Sequence, residues 1–525
     1  MTSAYRVSSL PQPDFSEADR KFSALKQQLT SGAFRAMRHS DVERHLLKEG
    51  TELMRVLLQA YVTLAGRRKV KGEVVGADGT RRTHVHSSAR REVESIFGSV
   101  VVERASHSSP GRAALKPVDA WLNLPSERYS LEVRRRVSLA AAQSSFDATL
   151  ATLDLTTGAH VPKRQAEQLV VRAANHFDAF YEARCAMPLS GQPGPYLVLS
   201  FDQKGVVVHP QDLRAEAVRK SPTGTKSVLE SRYAPGMKHG RKRMATVAAV
   251  YTTEPQATRC SSDVIDGLRH RRGDEEPVRR PRPQRKRVWA SVTHRPRDVI
   301  DAAFAEARNR DPYHEKQWFV LIDGSPDLER WVREVAERRG HPVTIIIDFI
   351  HVLEWLWRAA HAFHPPGSTQ AEEWALERMT RILDGKVVDV AAGISRSATR
   401  RGLSGMKRKV VDQCTHYLHA HKHKMSYPMC LGLGVPIATG VIEGACRHLV
   451  CDRLEITGAR WRLERAEAIL RLRALIASGD FDEYWQFHEA EEWRQNHASK
   501  YTGDLVPLAA ETQAPRHLRL VQPPS

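Results

Sequence analysis

The sequence predicts an α/β protein whose sheet core is interrupted by an all-helical insertion and preceded by a mainly helical region. Three observations predict it. Gln317-Trp-Phe-Val-Leu-Ile and Val343-Thr-Ile-Ile-Ile are continuous apolar runs, as expected of strands buried on both faces. Between them, residues 328–339 show the apolar spacing of an amphipathic helix. Each run ends in an acid, Asp323 or Asp348, and the carboxyl edge of an α/β sheet is where sites tend to form. Asp323-Gly-Ser-Pro-Asp327 also suits a helix start, so a capping role for Asp323 stands beside a chemical one.

The chain has 525 residues, enough for about three domains. With 41% hydrophobic and 27% charged residues it reads as soluble and globular, and no apolar run approaches membrane-spanning length. The opening Met-Thr-Ser-Ala-Tyr-Arg lacks the apolar core of a secretion signal. Six scattered cysteines without a Cys-x-x-Cys pair argue against a disulfide framework and fit a reducing cytosol. Eighty Lys and Arg against sixty-one acids give a net charge of +19 and an isoelectric point near 9.8. Such a charge calls for a polyanionic partner, nucleic acid first among them.

Residues 1–66 form an N-terminal helical region, with a short helix around 18–29 and a long amphipathic one over 41–65, interrupted at Gly50-Thr51. Residues 67–128 change to strand periodicity, a small basic β unit with a turn at Gly76-Ala-Asp-Gly79. In 129–190 a helix around 144–153, the turn Thr156-Thr-Gly158-Ala-His160 and a helix opening at Lys163-Arg-Gln165 have a helix-turn-helix layout. Lys163, Arg164 and Gln165 are then the groove-facing candidates; an ordinary helical hairpin fits the same pattern.

Gly191-Gln-Pro-Gly-Pro195 reads as a linker, followed by a buried strand carrying a third acid, Tyr196-Leu-Val-Leu-Ser-Phe-Asp202. Two further strands, over 241–251 and 287–293, flank an Arg- and Pro-rich loop. Three strands, helix, strand, helix, strand over 191–351 is the succession of an RNase H-like core. Residues 352–436 turn all-helical, with helices over 353–362, 371–384 and 405–421. Residues 437–500 supply closing helices, the first carrying Glu443, and 501–525 read as a disordered tail. In such a core the first and fourth strands are neighbours and the helix after the fifth crosses their edge, so Asp202, Asp323 and Glu443 converge. Carboxylates so gathered are what two Mg2+ ions require when they clamp the oxygens of a phosphodiester displacement.

The runs Ser200-Phe-Asp202-Gln-Lys-Gly-Val, Leu321-Ile-Asp323-Gly, Asp348-Phe-Ile-His351-Val and Gly440-Val-Ile-Glu443-Gly, with Arg453 and Gly458-Ala-Arg-Trp461 downstream, resemble those of insertion-sequence DDE transposases. The chain is most similar to the bacterial Kra group and more distantly to Mutator-like transposases, over about 196–475. Phe97-Gly98 and Pro117-Val-Asp119 are similar to family positions more loosely. The resemblance implies Mg2+-dependent cleavage and strand transfer on double-stranded DNA, at element ends and target, with Asp202, Asp323 and Glu443 as metal-binding catalytic residues. Mn2+ would substitute for Mg2+. It implies supporting roles for Asp348 and His351, DNA contacts for Arg453 and Arg460, a homo-oligomer on DNA, no membrane association, and a cytoplasmic, nucleoid-associated location. Arg447, one turn after Glu443, is spaced to orient that carboxylate or pair with phosphate. Capping by Asp348 and simple packing of His351 remain the alternatives. Relatives often carry a cysteine-rich element where this chain has Ser108-Ser-Pro-Gly111, so a zinc-stabilised N-terminal module is not expected. A nuclease without strand transfer and a transposase-derived DNA-binding regulator are the rival functions.

Overall fold

The computed structural model describes residues 14–186, 193–213, 242–268, 282–438, 440–456 and 459–510. The chain is mixed α/β and forms two compact units, one of Met1–His176 with Asp482–Ser525, the other of Phe177–Phe481. The division falls inside the stretch expected as one DNA-binding region, 129–190. The reason is visible in the helix Phe177–Cys185, whose Tyr181 hydroxyl donates to Asp480 at 2.8 Å, within the second unit.

In the first unit, the helix His39–Gly66 runs unbroken through the expected interruption, the Thr51 hydroxyl donating to Leu47 O at 2.7 Å. It packs on an antiparallel sheet of β1 (His84–Ser95), β2 (Gly98–Ser109) and β3 (Arg112–Leu115). Gln59 joins helix to sheet, its side chain bonding Val101 N and O at 2.8 Å each. Val62, Val93, Val100, Val102 and Val118 form the core beneath. Arg104, buried on β2, makes a bidentate pair with Asp119 at 2.7 and 2.9 Å. The helices Leu131–Gln143, Phe146–Thr156 and Lys163–Ala173 follow, the first two capped by Ser130 and Ser145.

Residues 501–510 correct the expectation of a tail disordered from its start. Tyr501 is buried and bridges Gly76, Ala509 bridges Val70, and Pro507 O accepts from Trp121 Nε1 at 2.9 Å. These residues find their partners in residues 70–76, ahead of the small sheet, and in Trp121, after it, which local composition does not reveal. Residues 511–525 lie outside the described residues.

In the second unit, β4 (Tyr196–Val207), β5 (Lys242–Thr253), β6 (Gln284–Ser291), β7 (Gln317–Ile322) and β8 (Thr344–Ile347) form one sheet in the order β6-β5-β4-β7-β8. β4 pairs antiparallel with β5 and parallel with β7; β5–β6 is antiparallel and β7–β8 parallel. The helix Pro296–Arg310 leads into β7, and Pro326–Arg339, capped by Ser325 and closed by left-handed Gly340, crosses from β7 to β8. Leu197, Val198, Leu199, Val320 and Ile347 are fully buried, each contributing about 1.5–3 kcal/mol by leaving water. At the β6 edge, Glu306 joins its helix to the sheet through Arg287 at 2.6 Å and pairs along the helix with Arg310 at 2.7 Å, which itself donates to Val250 O on β5 at 3.3 Å.

The insertion contains the three expected helices, as Phe349–Phe363, Thr369–Leu383 and Gly405–His421, and, among the described residues, two more α-helices, the short Tyr427–Leu433 and Val387–Arg400. That segment holds Gly393 and several Ser, Thr and Val residues of modest helix propensity. Its buried Val387, Val390, Ala391, Ile394 and Ala398 make it a helix through packing. The Arg- and Pro-rich loop lies outside the described residues from 269 to 281.

A candidate carboxylate site at the sheet edge

Buried β4 and β7 run side by side in parallel, and Ser200 pairs with Leu321. Counting two residues on from each places Asp202 and Asp323 level with one another. Neighbouring strands are about 4.8 Å apart, so two carboxylates rise together from this edge. Both acids are half-buried. Burial, and then the charge of Asp202, raises the Asp323 carboxyl above its ordinary range; a bond from Ser325 N and the proximity of His351 act the other way.

Each carboxylate is held by its surroundings. Asp323 Oδ1 accepts from Ser325 N at 2.8 Å. The helix cap itself is Ser325, which frees Asp323 from the capping role that its sequence context allowed. Gly324, at φ +91°, brings this loop against the helical insertion, where a Cβ would meet Tyr417 Cε2 at 2.9 Å. The Tyr417 hydroxyl donates to Asp323 O at 2.8 Å, and its ring stacks on Trp355. Asp202 Oδ1 accepts from Gln203 N at 2.6 Å, and Oδ2 from the Cys446 thiol at 3.1 Å. Burial and the Asp202 charge push that thiol upward, so it remains protonated and donates. Lys204, two residues beyond Asp202 on the same strand face, sits in its field. Burial works to lower the Lys204 ammonium, but the charge of Asp202 and its neighbours prevails and raises it.

Glu443 lies exposed on the helix Gly440–Ala445, which packs against β4, β5 and β6. Cys446 follows one turn later, so its contact with Asp202 brings the turn carrying Glu443 to the same edge. Asp202, Asp323 and Glu443 do not all come within 4.8 Å of one another, since among the described residues the one trio of donors so close is His176, His488 and Glu492.

The other sequence candidates are placed as follows. Asp348 is buried and caps the helix Phe349–Phe363, its Oδ1 accepting from Ile350 N at 2.9 Å. His351 is half-buried and near Asp323. Arg447 is exposed and faces Asp452 at 3.7 Å. Arg453 is buried with its guanidinium over Trp461, 4.8 Å from the ring centre, whereas Arg460 is exposed. In the first unit Lys163 pairs with Asp147 at 2.7 Å, Arg164 is exposed and Gln165 half-buried. Cys446, Lys204 and Tyr417 were not singled out from the sequence. Strand alternation points to Lys204 and helical spacing from Glu443 to Cys446; no local signal marks Tyr417.

The trio His176, His488 and Glu492 has the residue types of a metal site, but its lone pairs are taken. Arg134, fully buried, can only donate, and its Nη1 stands 2.8 Å from His488 Nε2. Burial, with the charge of Arg134, drives His488 down to about 2, so the ring is neutral and carries its one proton on Nδ1. That proton goes to His176 Nδ1 at 2.9 Å. Glu492 is engaged by Arg134 at 3.0 Å and by Asn496 at 2.9 Å. The network is complete without an ion.

The carboxylates at the sheet edge are different. Two like charges stand level, the Asp323 carboxyl raised by burial and then by the Asp202 charge, and oxygen donors of this kind suit Mg2+ or Mn2+. A cation there relieves the repulsion between them. No family model and no curated protein matches this chain.

Proposed function

We propose that this chain is a DDE transposase with an RNase H-like core, which binds the terminal inverted repeats of an insertion sequence and catalyses Mg2+-dependent DNA cleavage and strand transfer. The observation that carries the reading is the level pair Asp202 and Asp323 on parallel neighbours, with the Glu443 helix tied to Asp202. The sheet order β6-β5-β4-β7-β8, with two antiparallel pairings followed by two parallel ones, supports the core assignment. The net charge of +19 supports DNA as the partner.

In this reading Asp202, Asp323 and Glu443 would hold the ions, Mg2+ or Mn2+ in its place. Bound ions supply Lewis acidity at the scissile phosphate and a water of lowered pKa. The chain's own groups then preorganise the site. Gln203 N and Cys446 fix Asp202, and Ser325 N and Tyr417 fix the Asp323 loop, so little reorganisation remains when DNA arrives. Lys204, beside Asp202, offers positive charge to the phosphate backbone. Hydrolysis at the element end frees a 3′-hydroxyl, and that hydroxyl attacks target DNA in line. Among the residues expected to contact DNA, Arg164 and Arg460 are exposed and so offer their charge to it. We assign a homo-oligomer on DNA, and a cytoplasmic, nucleoid-associated location, on the same reading.

The test is cleavage of a labelled duplex carrying the genomic DNA that flanks this reading frame, with Mg2+, comparing wild type with Asp323→Ala and Glu443→Ala. The expected result is loss of cleavage in both variants with DNA binding retained. Unchanged cleavage in either variant removes that acid from the site. Tight binding without wild-type cleavage favours the regulator, and cleavage without joining to a second duplex the nuclease.

A further inference from the structure

We infer that Cys446 is a positioning residue for the carboxylate site: its thiol, on the helix that carries Glu443, holds the second oxygen of Asp202 and so sets where the third acid stands relative to the first. The inference rests on the reading of Asp202, Asp323 and Glu443 as one metal site. Three observations carry it. The sulfur lies 3.1 Å from Asp202 Oδ2, while Oδ1 is already taken by Gln203 N at 2.6 Å, so the carboxylate is held from both sides. The thiol is 2% exposed, which leaves its donor a protein partner and not water. The helix changes type at this residue: Gly440–Ala445 is α-helical and Cys446–Cys451 is a π segment.

A π turn inserts an extra residue into the helical repeat and is found mostly at functional sites. Here it lets two demands be met by one continuous helix. Upstream, Glu443 and Cys446 lie one turn apart, on the side that reaches Asp202. Downstream, Arg453 is buried with its guanidinium over Trp461, and Trp461 Nε1 donates to Leu454 O at 3.1 Å. Trp461 in turn bridges Val208, six residues beyond Asp202 on the same stretch of chain. The helix is therefore anchored to the β4 segment at both ends, by a thiol at the acid and by an indole past the strand's end. Carboxylates that ligate metals are themselves hydrogen-bonded, and removing such partners costs about 10–100-fold in metal affinity or activity.

The 525-residue chain is compared as wild type, Cys446→Ala and Cys446→Ser, with Mn2+ alone as the probe, its free concentration read by electron paramagnetic resonance. Cleavage of the flanking-DNA duplex is measured in parallel, kcat and KM separately. Removing the donor is expected to weaken Mn2+ binding and lower kcat, each by about 10–100-fold, with KM for DNA unchanged. Serine, which keeps a donor, is expected to restore both. Cys446→Val fills the space of the thiol without a donor and takes the place of alanine if the alanine variant does not fold. If neither apolar variant folds, Cys446→Ser decides alone, retained Mn2+ affinity being expected and its loss overturning the inference. Wild-type affinity in Cys446→Ala, with Glu443→Ala inactive, overturns the role of Cys446 and leaves the metal site standing. Failure of wild type itself to bind Mn2+ or cleave overturns the metal site and the inference together.

Discussion

Asp202 and Asp323 stand level on adjacent parallel strands, two residues past the paired Ser200 and Leu321. Strand pairing alone thus sets two like charges side by side, and the helix bearing Glu443 closes on them through the Cys446–Asp202 contact. Without a cation this pairing costs stability.

Asp323→Asn is therefore expected to raise the melting temperature by a few degrees at pH 7 in chelator. Because burial and the Asp202 charge raise the folded-state Asp323 carboxyl, the folded form binds its proton more tightly than the unfolded form does. The stabilising effect of that proton is present below the ordinary value of 3.8 and lost as pH rises through the folded-state value. Melting curves at pH 3 and pH 7 check it: a gain at neutral pH that vanishes in acid supports the coupling, and no gain at pH 7 refutes it.

Gly324 joins the Asp323 loop to the helical insertion at φ +91°, with Tyr417 where a Cβ would go. Gly324→Ala is expected to destabilise the fold by about 1–3 kcal/mol. Tyr417→Phe removes only the bond to Asp323 O, at a cost of about 1 kcal/mol, while the stack on Trp355 is kept. Denaturant titration separates the two; equal stability of Gly324→Ala and wild type would mean the insertion does not bear on this loop.

Glu306 makes the sheet's far edge acid-labile. Burial alone would raise its carboxyl, but Arg287 and Arg310 hold it down to about 2, against an ordinary 4.5. The stability from this pairing is complete above pH 4.5 and is lost as pH falls towards 2, a loss on the order of 3 kcal/mol. Glu306→Gln leaves two buried arginines short of a counter-charge, so it is expected to cost about 3–5 kcal/mol at neutral pH and to flatten the acid limb. An acid limb as steep as wild type in that variant would assign the lability elsewhere.

Zn2+ is expected to leave thermal stability unchanged through the trio His176, His488 and Glu492, because Arg134 already fixes the proton of His488 on Nδ1. Calorimetric melts with Zn2+ and with chelator test this. A rise in Zn2+ that disappears in His488→Gln would reverse the proton assignment and make the trio a metal site.

Period and punctuation in the sequence were enough for β4, β7 and β8, because continuous apolar runs ending in acids have few other uses. The same holds for the helices of 349–363, 369–383 and 405–421, whose apolar spacing is strong. The helix Val387–Arg400 carries a mixed signal: Val387, Val390, Ala391, Ile394 and Ala398 keep helical spacing, but Gly393 and the Ser, Thr and Val residues lower its propensity, and packing settles the outcome. The ordering of 501–510 was not legible, since its partners Gly76, Val70 and Trp121 lie hundreds of residues away.

The acids Asp202, Asp323 and Glu443, and the charge that calls for a polyanion, are properties of the sequence by itself, because residue type and position along an element carry them. The level register of Asp202 with Asp323, the thiol on Asp202 and the burial of Arg453 were decided by the tertiary structure. Each depends on which strand lies beside which and on where a helix changes its turn, and contacts between residues far apart in the chain leave no local trace.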